Sequence, residues 1–277
     1  MIFTERRSAL VRLSDCIKIG LDLCAEASEK ILEIFVPYEP LFRKAQEAAG
    51  QFLEKHSYLE SAEQEIRGIL FSIPDDVVFQ GAYFQVRLHS QALSTILSCC
   101  FCLESYINSL AYYLLKESDF LGLIKDGNIT TVEILTEAIN RMSTRDKWKT
   151  VGLLRNAKGF DCSCSPFQDF QILYNFRDDH VHDKVVPWTQ DRASKRYNNK
   201  FPDPVFGLLE LNHALYAGKT YWDMIQEVHR LIGVKPELFQ RHYNLAPWRD
   251  DKHLHRLKET ASRYSERLKP PSGPLFS

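Results

Sequence analysis

The stretch VFQGAYFQVRLHSQALSTILSCCFCLESYINSLAYYLLK, residues 78–116, decides the fold. Its second half is apolar on nearly every side, as expected of a central helix that has neighbours around most of its circumference. Glu104 and Asn108, with several serines and cysteines, interrupt the apolar residues 92–115. A lipid-facing span tolerates such groups poorly, so we interpret the stretch as a buried bundle helix and expect no membrane association.

Helical periodicity continues on both sides of this helix. Apolar residues between 9 and 35 recur at spacings of three and four, which predicts a long first helix that ends near Pro37. A second amphipathic run covers 40–73, and the two together predict an N-terminal helical hairpin. We expect further helices at 130–141, 144–155, from Pro166 onward and at 205–232. No alternation typical of strands competes with these patterns, so the predicted fold class is all-α.

Three regions follow from this pattern. We assign residues 1–75 to the helical hairpin, 76–235 to a helical domain and 236–277 to a basic tail. In the tail, Lys, Arg and His alternate with acidic residues, which favours a solvated terminal helix over an RNA clamp.

Composition limits the class of protein. An apolar fraction of 44% in 277 residues is typical of a globular core, and a net charge of -1 means that any nucleic-acid site must rest on local basic clusters. The N-terminus lacks the features of a secretory signal, and the number of cysteines is odd. Three of them, Cys99, Cys100 and Cys102, crowd one apolar helix. We therefore expect a reducing, cytoplasmic environment.

Cys162 and Cys164, in the loop GFDCSCSP, raise the question of a metal site. No second C-x-x-C or H-x-x-x-H pair completes a set of four ligands. Plain loop thiols are the favoured interpretation, and we expect neither a metal nor another cofactor.

The segment RDDHVH, residues 177–182, carries the chemistry. Together with LESYIN at 103–108 and DKWK at 146–149, it resembles the HEPN superfamily, whose signature is Arg, a polar residue, a few others and then His in a late helix. The resemblance covers residues 76–232. It implies a helical-bundle domain, a homodimer and RNA cleavage by Arg177, Asp178 and His182. A toxin or phage-defence role, with an antitoxin or a nucleotide as a further partner, is implied by the same resemblance.

Physical chemistry independently assigns roles to these side chains. RNA cleavage without a metal requires a group that takes the 2′-hydroxyl proton, a group that protonates the leaving oxygen, and positive charge on the phosphate. The Arg177 guanidinium suits two phosphate oxygens, and His182 can exchange a proton near neutral pH. Asp178 lies one helical turn before His182 and can hold the imidazole in one tautomer. Weak surface charge pairing is the competing interpretation.

The spacing also bears on oligomeric state. On an ideal helix Arg177 and His182 diverge by roughly 140°. One chain therefore presents the pair awkwardly, which agrees with the cleft between two protomers that the resemblance implies.

Four residues are predicted to support the site. Glu104 must have a partner if it is buried, and Arg177 or Lys147 is the expected one. Asn108 either joins the same polar network or caps a loop, and His180 is the alternative to His182 or its assistant.

A polar stretch after the motif is the expected RNA-binding loop, unless it is simply solvated. It carries the basic residues Arg192, Lys195, Arg196 and Lys200. Tyr197 and Phe201 lie among them and would stack a splayed base.

Three functions remain open on the sequence alone. The first is an endoribonuclease of HEPN type acting on RNA. The second is a non-catalytic HEPN module that dimerises and binds a nucleotide or a protein partner. The third is a helical scaffold, which leaves the polar hexapeptide unexplained.

Overall fold

The protein is all-helical, as predicted. A computed structural model describes residues 2–41, 43–44, 68, 72–116, 137–153, 159–181, 196–202, 208–233 and 251–268. Helices account for 86% of these described residues, and no strand occurs among them. The chain therefore buries its apolar residues by packing helix on helix.

The two longest helices, α1 (Ile2–Phe35) and α2 (Asp75–Lys116), form an antiparallel pair at the centre of the bundle. Gly20 of α1 faces Thr95, and Gly81 of α2 faces the Phe35 ring, at distances that leave no room for a β-carbon. Glycine at both positions therefore permits the close approach of the helices. The expected end of α1 is confirmed, because a 3₁₀ turn with Pro37 follows Phe35. Most of the predicted second run, 40–73, lies outside the described residues.

Four shorter helices with assigned bounds follow α2 along the chain. They are α3 (Thr144–Val151), α4 (Phe167–Val181), α5 (Leu211–Ile232) and α6 (Asp251–Leu268). The predicted start of α5 at residue 205 is wrong, because residues 208–210 are not helical and Glu210 caps the helix through a reciprocal capping box with His213. Of the helix predicted at 130–141, only 137–141 are described, and they are helical.

Helix α6 packs on α1. The tail is helical there, but the expectation that this terminal helix is solvated is wrong. Arg256 donates to Asp22 at 2.9 Å, and Thr260 Oγ1 donates to Glu29 Oε1 at 3.1 Å. Leu257, Ala261 and Tyr264 on the inner face of α6 are buried in the common core. That core includes buried residues from α1 to α6, so it is continuous across the predicted boundaries after residues 75 and 235.

Helix α2 is long and apolar enough, over Asp75–Ala111, to cross a membrane by length and composition alone. More than half of its most apolar window is buried inside the bundle. This burial is what the core helix of a globular domain requires.

Candidate functional site

Helices α2, α3 and α4 meet around the polar residues of the motif segment, and aromatic contacts fix their positions. Trp148 of α3 is fully buried and stacks on Tyr106 of α2, with ring centroids 6.2 Å apart. The Tyr174 hydroxyl of α4 donates to the Cys100 carbonyl of α2 at 2.9 Å. These contacts place α3 and α4 against one stretch of α2, between Cys100 and Tyr106.

Arg177 and Arg145 share the carboxylate of Asp178. Arg177 Nη1 donates to Oδ1 at 3.0 Å, and Arg145 Nη2 donates to Oδ2 at 3.2 Å. Arg145 Nη2 also donates to Asn175 Oδ1 at 3.0 Å, which ties α3 to α4 a second time. One carboxylate therefore holds two guanidinium groups side by side and leaves the trio with a net positive charge.

The Arg177 side chain is only 20% exposed, and it remains charged. Burial disfavours the cation, but the hydrogen bond and charge of Asp178, with a further contribution from Glu104, offset this and raise the pKa of Arg177 above its ordinary value. The guanidinium carbon lies 6.0 Å from the centroid of the Phe101 ring. The buried Nε has no hydrogen-bond partner within the described parts of the chain. Arg177 is thus a fixed cation whose donors are not all used by Asp178.

The predicted supporting residues of α2 lie along the same face of the helix. The negative charge of Glu104 favours the charged form of Arg177. Arg177 is one of the two partners expected for Glu104. Lys147 of α3 donates instead to Asn108 Oδ1, at 2.8 Å. Asn108 therefore pairs with Lys147 and does not cap a loop.

Of the two histidines in the motif, the structure describes His180. Its Nδ1 lies 2.9 Å from the Phe176 carbonyl oxygen, and the rings of the two residues are 4.0 Å apart. A carbonyl only accepts, so Nδ1 is the protonated nitrogen and Nε2 is the basic one in the neutral ring. Helix α4 ends at Val181, and His182 lies outside the described residues.

The predicted RNA-binding loop is only partly described, since Arg192 and Lys195 fall outside. Arg196 Nη2 donates to Asp179 Oδ1 at 2.8 Å, and Lys200 lies 5.6 Å from the centre of the Tyr216 ring. The ion pair fastens Arg196 to a carboxylate that is only 1% exposed.

The two aromatic residues of this loop do not form a stacking surface. Tyr197 is fully buried and its hydroxyl donates to Asp179 Oδ2 at 2.5 Å, while Phe201 is 2% exposed and stacks on Phe176. The expectation that they stack a base is wrong. Their rings pack into the core at the end of α4. Removing this apolar surface from water is more favourable than leaving it exposed on a polar loop.

Cys162 and Cys164 are exposed free thiols in the loop before α4. Within the described residues, no group of three or more His, Cys, Asp or Glu side chains is arranged to hold a metal ion. The burial of Cys100 raises the pKa of its thiol, so this neighbour of the site is a packing residue.

Sequence reasoning missed two residues of this site, Arg145 and Phe101. Arg145 is one of several cations in TRDKWK, and only the packing of α3 on α4 selects it. Phe101 stands within an apolar run, yet it is 42% exposed next to buried Cys100 and Cys102. The three- and four-residue spacing from Phe101 to Glu104 and Asn108 is the signal that would have placed it on the polar face.

Comparison with known proteins yields no relative. No family model, no curated protein and no solved structure matches this chain. The resemblance to HEPN domains therefore rests on the sequence motifs, and functional inference rests on the site.

Proposed function

We propose that this protein is a metal-independent endoribonuclease of HEPN type. The observation that carries the proposal is the Arg177 guanidinium, which Asp178 fixes at the end of α4, immediately before the two histidines of RDDHVH. A permanent, positioned cation beside a group that titrates near neutral pH is the minimum that RNA cleavage needs. A solvated arginine without a partner would not supply such a fixed charge.

In the proposed reaction the RNA itself supplies the nucleophile. A histidine takes the proton of a 2′-hydroxyl, and the 2′-oxygen attacks the adjacent phosphorus. The bond to the 5′-oxygen breaks, and the protonated histidine gives its proton to that oxygen as it leaves. The products are a 2′,3′-cyclic phosphate and a 5′-hydroxyl, and Arg177 stabilises the charge that grows on the phosphate oxygens.

His182 is the proposed general acid and base, with His180 as its alternative or assistant. His180 lies three residues after Arg177, so the two side chains are neighbours on the helix surface. The hydrogen bond from its Nδ1 leaves Nε2 as the basic nitrogen. Parallel substitution of the two histidines separates their contributions.

Asp178 acts in this proposal mainly through Arg177, since its two oxygens are hydrogen-bonded to Arg177 and Arg145. Arg145 and Lys147 add positive charge along the path of the RNA backbone. From α2, Asn108 holds Lys147 through a hydrogen bond, and the charge of Glu104 acts on Arg177. RNA binding by Arg192, Lys195, Arg196 and Lys200 remains part of the proposal.

We also propose that the active unit is a homodimer in the cytoplasm. Arg177 and His182 diverge by roughly 140° if the helix continues ideally, so two chains related by a two-fold axis can each contribute one of the pair. A toxin or phage-defence role, controlled by an antitoxin or a nucleotide, would be consistent with such an enzyme.

The decisive experiment is incubation of the purified protein with total RNA in EDTA. Wild-type protein should produce fragments that end in 2′,3′-cyclic phosphate, and His182→Ala should not. If cleavage disappears in EDTA and returns with Mg²⁺ or Mn²⁺, the metal-independent mechanism is wrong. If wild type and His182→Ala are both inactive but form dimers, the non-catalytic module becomes the better account.

A further inference from the structure

We propose that Phe101 stacks a nucleobase next to the phosphate held by Arg177, and thereby selects unpaired RNA as the substrate. This inference rests on the proposed function, because it assigns Phe101 to the same site. It replaces the stacking role expected of Tyr197 and Phe201, which are both buried.

Phe101 is exposed at an unusual place in the fold. Single exposed apolar residues are common on proteins and mean little alone. Phe101, however, belongs to the core helix α2, where the flanking Cys100, Cys102 and Leu103 are at most 1% exposed. Phe101 is 42% exposed, and its ring faces the side on which α4 places Arg177.

The Phe101 ring lies close to the Arg177 cation without being packed tightly against it. The Arg177 guanidinium carbon lies 6.0 Å from the Phe101 centroid, which is at the outer limit of a cation–π contact. Such a loose contact leaves room at the ring. A base and its phosphate are joined through a single sugar, so one nucleotide can place its phosphate on Arg177 and its base on Phe101.

The face of α2 around Phe101 carries polar side chains. Glu104 follows Phe101 by three residues and Asn108 by seven, so the three side chains form one stripe along the helix. Their carboxylate and amide groups can meet the polar edges of a base whose face rests on Phe101. This combination of an aromatic face with adjacent polar groups is typical of proteins that bind single-stranded RNA.

The substrate class follows from stacking. A base can reach the ring only after it leaves the stack of its own helix, and unpaired loops or strands meet this condition without the cost of opening base pairs. Removing one base–aromatic contact should therefore weaken binding of single-stranded RNA by roughly 10- to 100-fold. Binding of a duplex should not change.

The test measures RNA affinity by fluorescence anisotropy in the His182→Ala background, which prevents cleavage. Phe101→Leu should bind a single-stranded oligonucleotide roughly 10- to 100-fold more weakly, and Phe101→Tyr should retain most of the affinity, because its ring still stacks. The matched control is Phe79→Leu on the same helix. Phe79 is 75% exposed and lies 22 residues, or about 33 Å, from Phe101.

The outcomes separate this inference from the proposed function. If wild type cleaves RNA but Phe101→Leu binds both single-stranded and duplex RNA normally, Phe101 has no stacking role and the endoribonuclease stands. If the wild type binds RNA through Phe101 without cleaving it, the stacking role stands and catalysis is refuted. Equal losses for Phe101→Leu, Phe101→Tyr and Phe79→Leu would indicate a structural effect and overturn the inference, as would the absence of any RNA binding.

Discussion

Arg145 of helix α3 and Asp178 of helix α4 form an ion pair across the candidate site, with Nη2 and Oδ2 3.2 Å apart. The same carboxylate holds Arg177, so removal of its charge leaves two neighbouring cations without their common partner. We expect Asp178→Asn to lower RNA cleavage by roughly 10-fold through misplacement of Arg177. The loss of stability should stay near 1 kcal/mol, since the pair is partly exposed.

Cleavage kinetics and urea unfolding of the same preparation measure these two effects. Asp223→Asn is the matched control, because Asp223 pairs with Lys219 on the surface of α5. An equal loss of activity in both variants would show that the carboxylate has no special role at the site.

Arg177 itself should be far more sensitive to substitution. Arg177→Ala should lower the rate of RNA cleavage on the order of 100-fold or more, because the positive charge on the phosphate is lost. Arg177→Lys should recover only part of the rate, since an ammonium group lacks the planar fork of a guanidinium. Single-turnover cleavage in EDTA measures both. The control variants Cys162→Ser and Cys164→Ser should behave as wild type, and a comparable defect in them would revive a metal site.

Arg196 is expected to contribute more to stability than to RNA binding. Its partner Asp179 is 1% exposed, so Arg196→Ala leaves a buried carboxylate with one charged partner fewer. We expect a loss of about 1–3 kcal/mol in the free energy of unfolding. Lys200→Ala is the comparison, because Lys200 is exposed and its side chain contacts the Tyr216 ring without an ion pair among the described residues. Unchanged stability together with a large loss of RNA affinity in Arg196→Ala would instead support the predicted RNA contact.

Acid should destabilise the bundle through His229. Burial lowers the pKa of this histidine to about 4, against an ordinary value of 6.5. Protonation therefore favours the unfolded chain. The stability that comes from keeping His229 neutral is complete above pH 6.5 and is lost as the pH falls towards 4. The difference of about 2.5 between the ordinary and the lowered pKa corresponds to about 3 kcal/mol in the free energy of unfolding. Urea unfolding at pH 7.5 and pH 5 should show a smaller pH dependence for His229→Gln than for wild type.

Exposed His255 on α6 provides the control for this pH effect. His255→Gln should keep the wild-type pH dependence, because the His255 side chain is exposed and not part of the core. If His229→Gln and wild type lose stability equally between these pH values, the burial of His229 is not the cause.

The shared active site can be tested by mixing two inactive variants. Arg177→Ala and His182→Ala should each be inactive alone, but heterodimers made by unfolding and refolding the mixture carry one site with both groups intact. Partial recovery of cleavage is the expected result, and light scattering measures the dimer independently. An active monomer, or heterodimers that stay inactive, would refute a site assembled from two chains.

The sequence by itself determined the helices that carry the site. The apolar spacing in residues 9–35 and 78–116 matches the observed α1 and α2, because a helix that buries one face must repeat its apolar side chains every three or four residues. Pro37 and Pro166 likewise mark the end of α1 and the start of α4, since proline lacks the donor that a helix interior requires.

Only the tertiary structure decided which side chains meet at that site. The pairing of Arg145 with Asp178 spans 33 residues, and the burial of Tyr197 beside the exposure of Phe101 reverses what their local sequences indicate. Local sequence patterns indicate which face of a single helix is apolar. The contacts at the site depend instead on how α2, α3 and α4 cross. Close packing of large rings such as Trp148 fixes that crossing, and no spacing within a single helix encodes it.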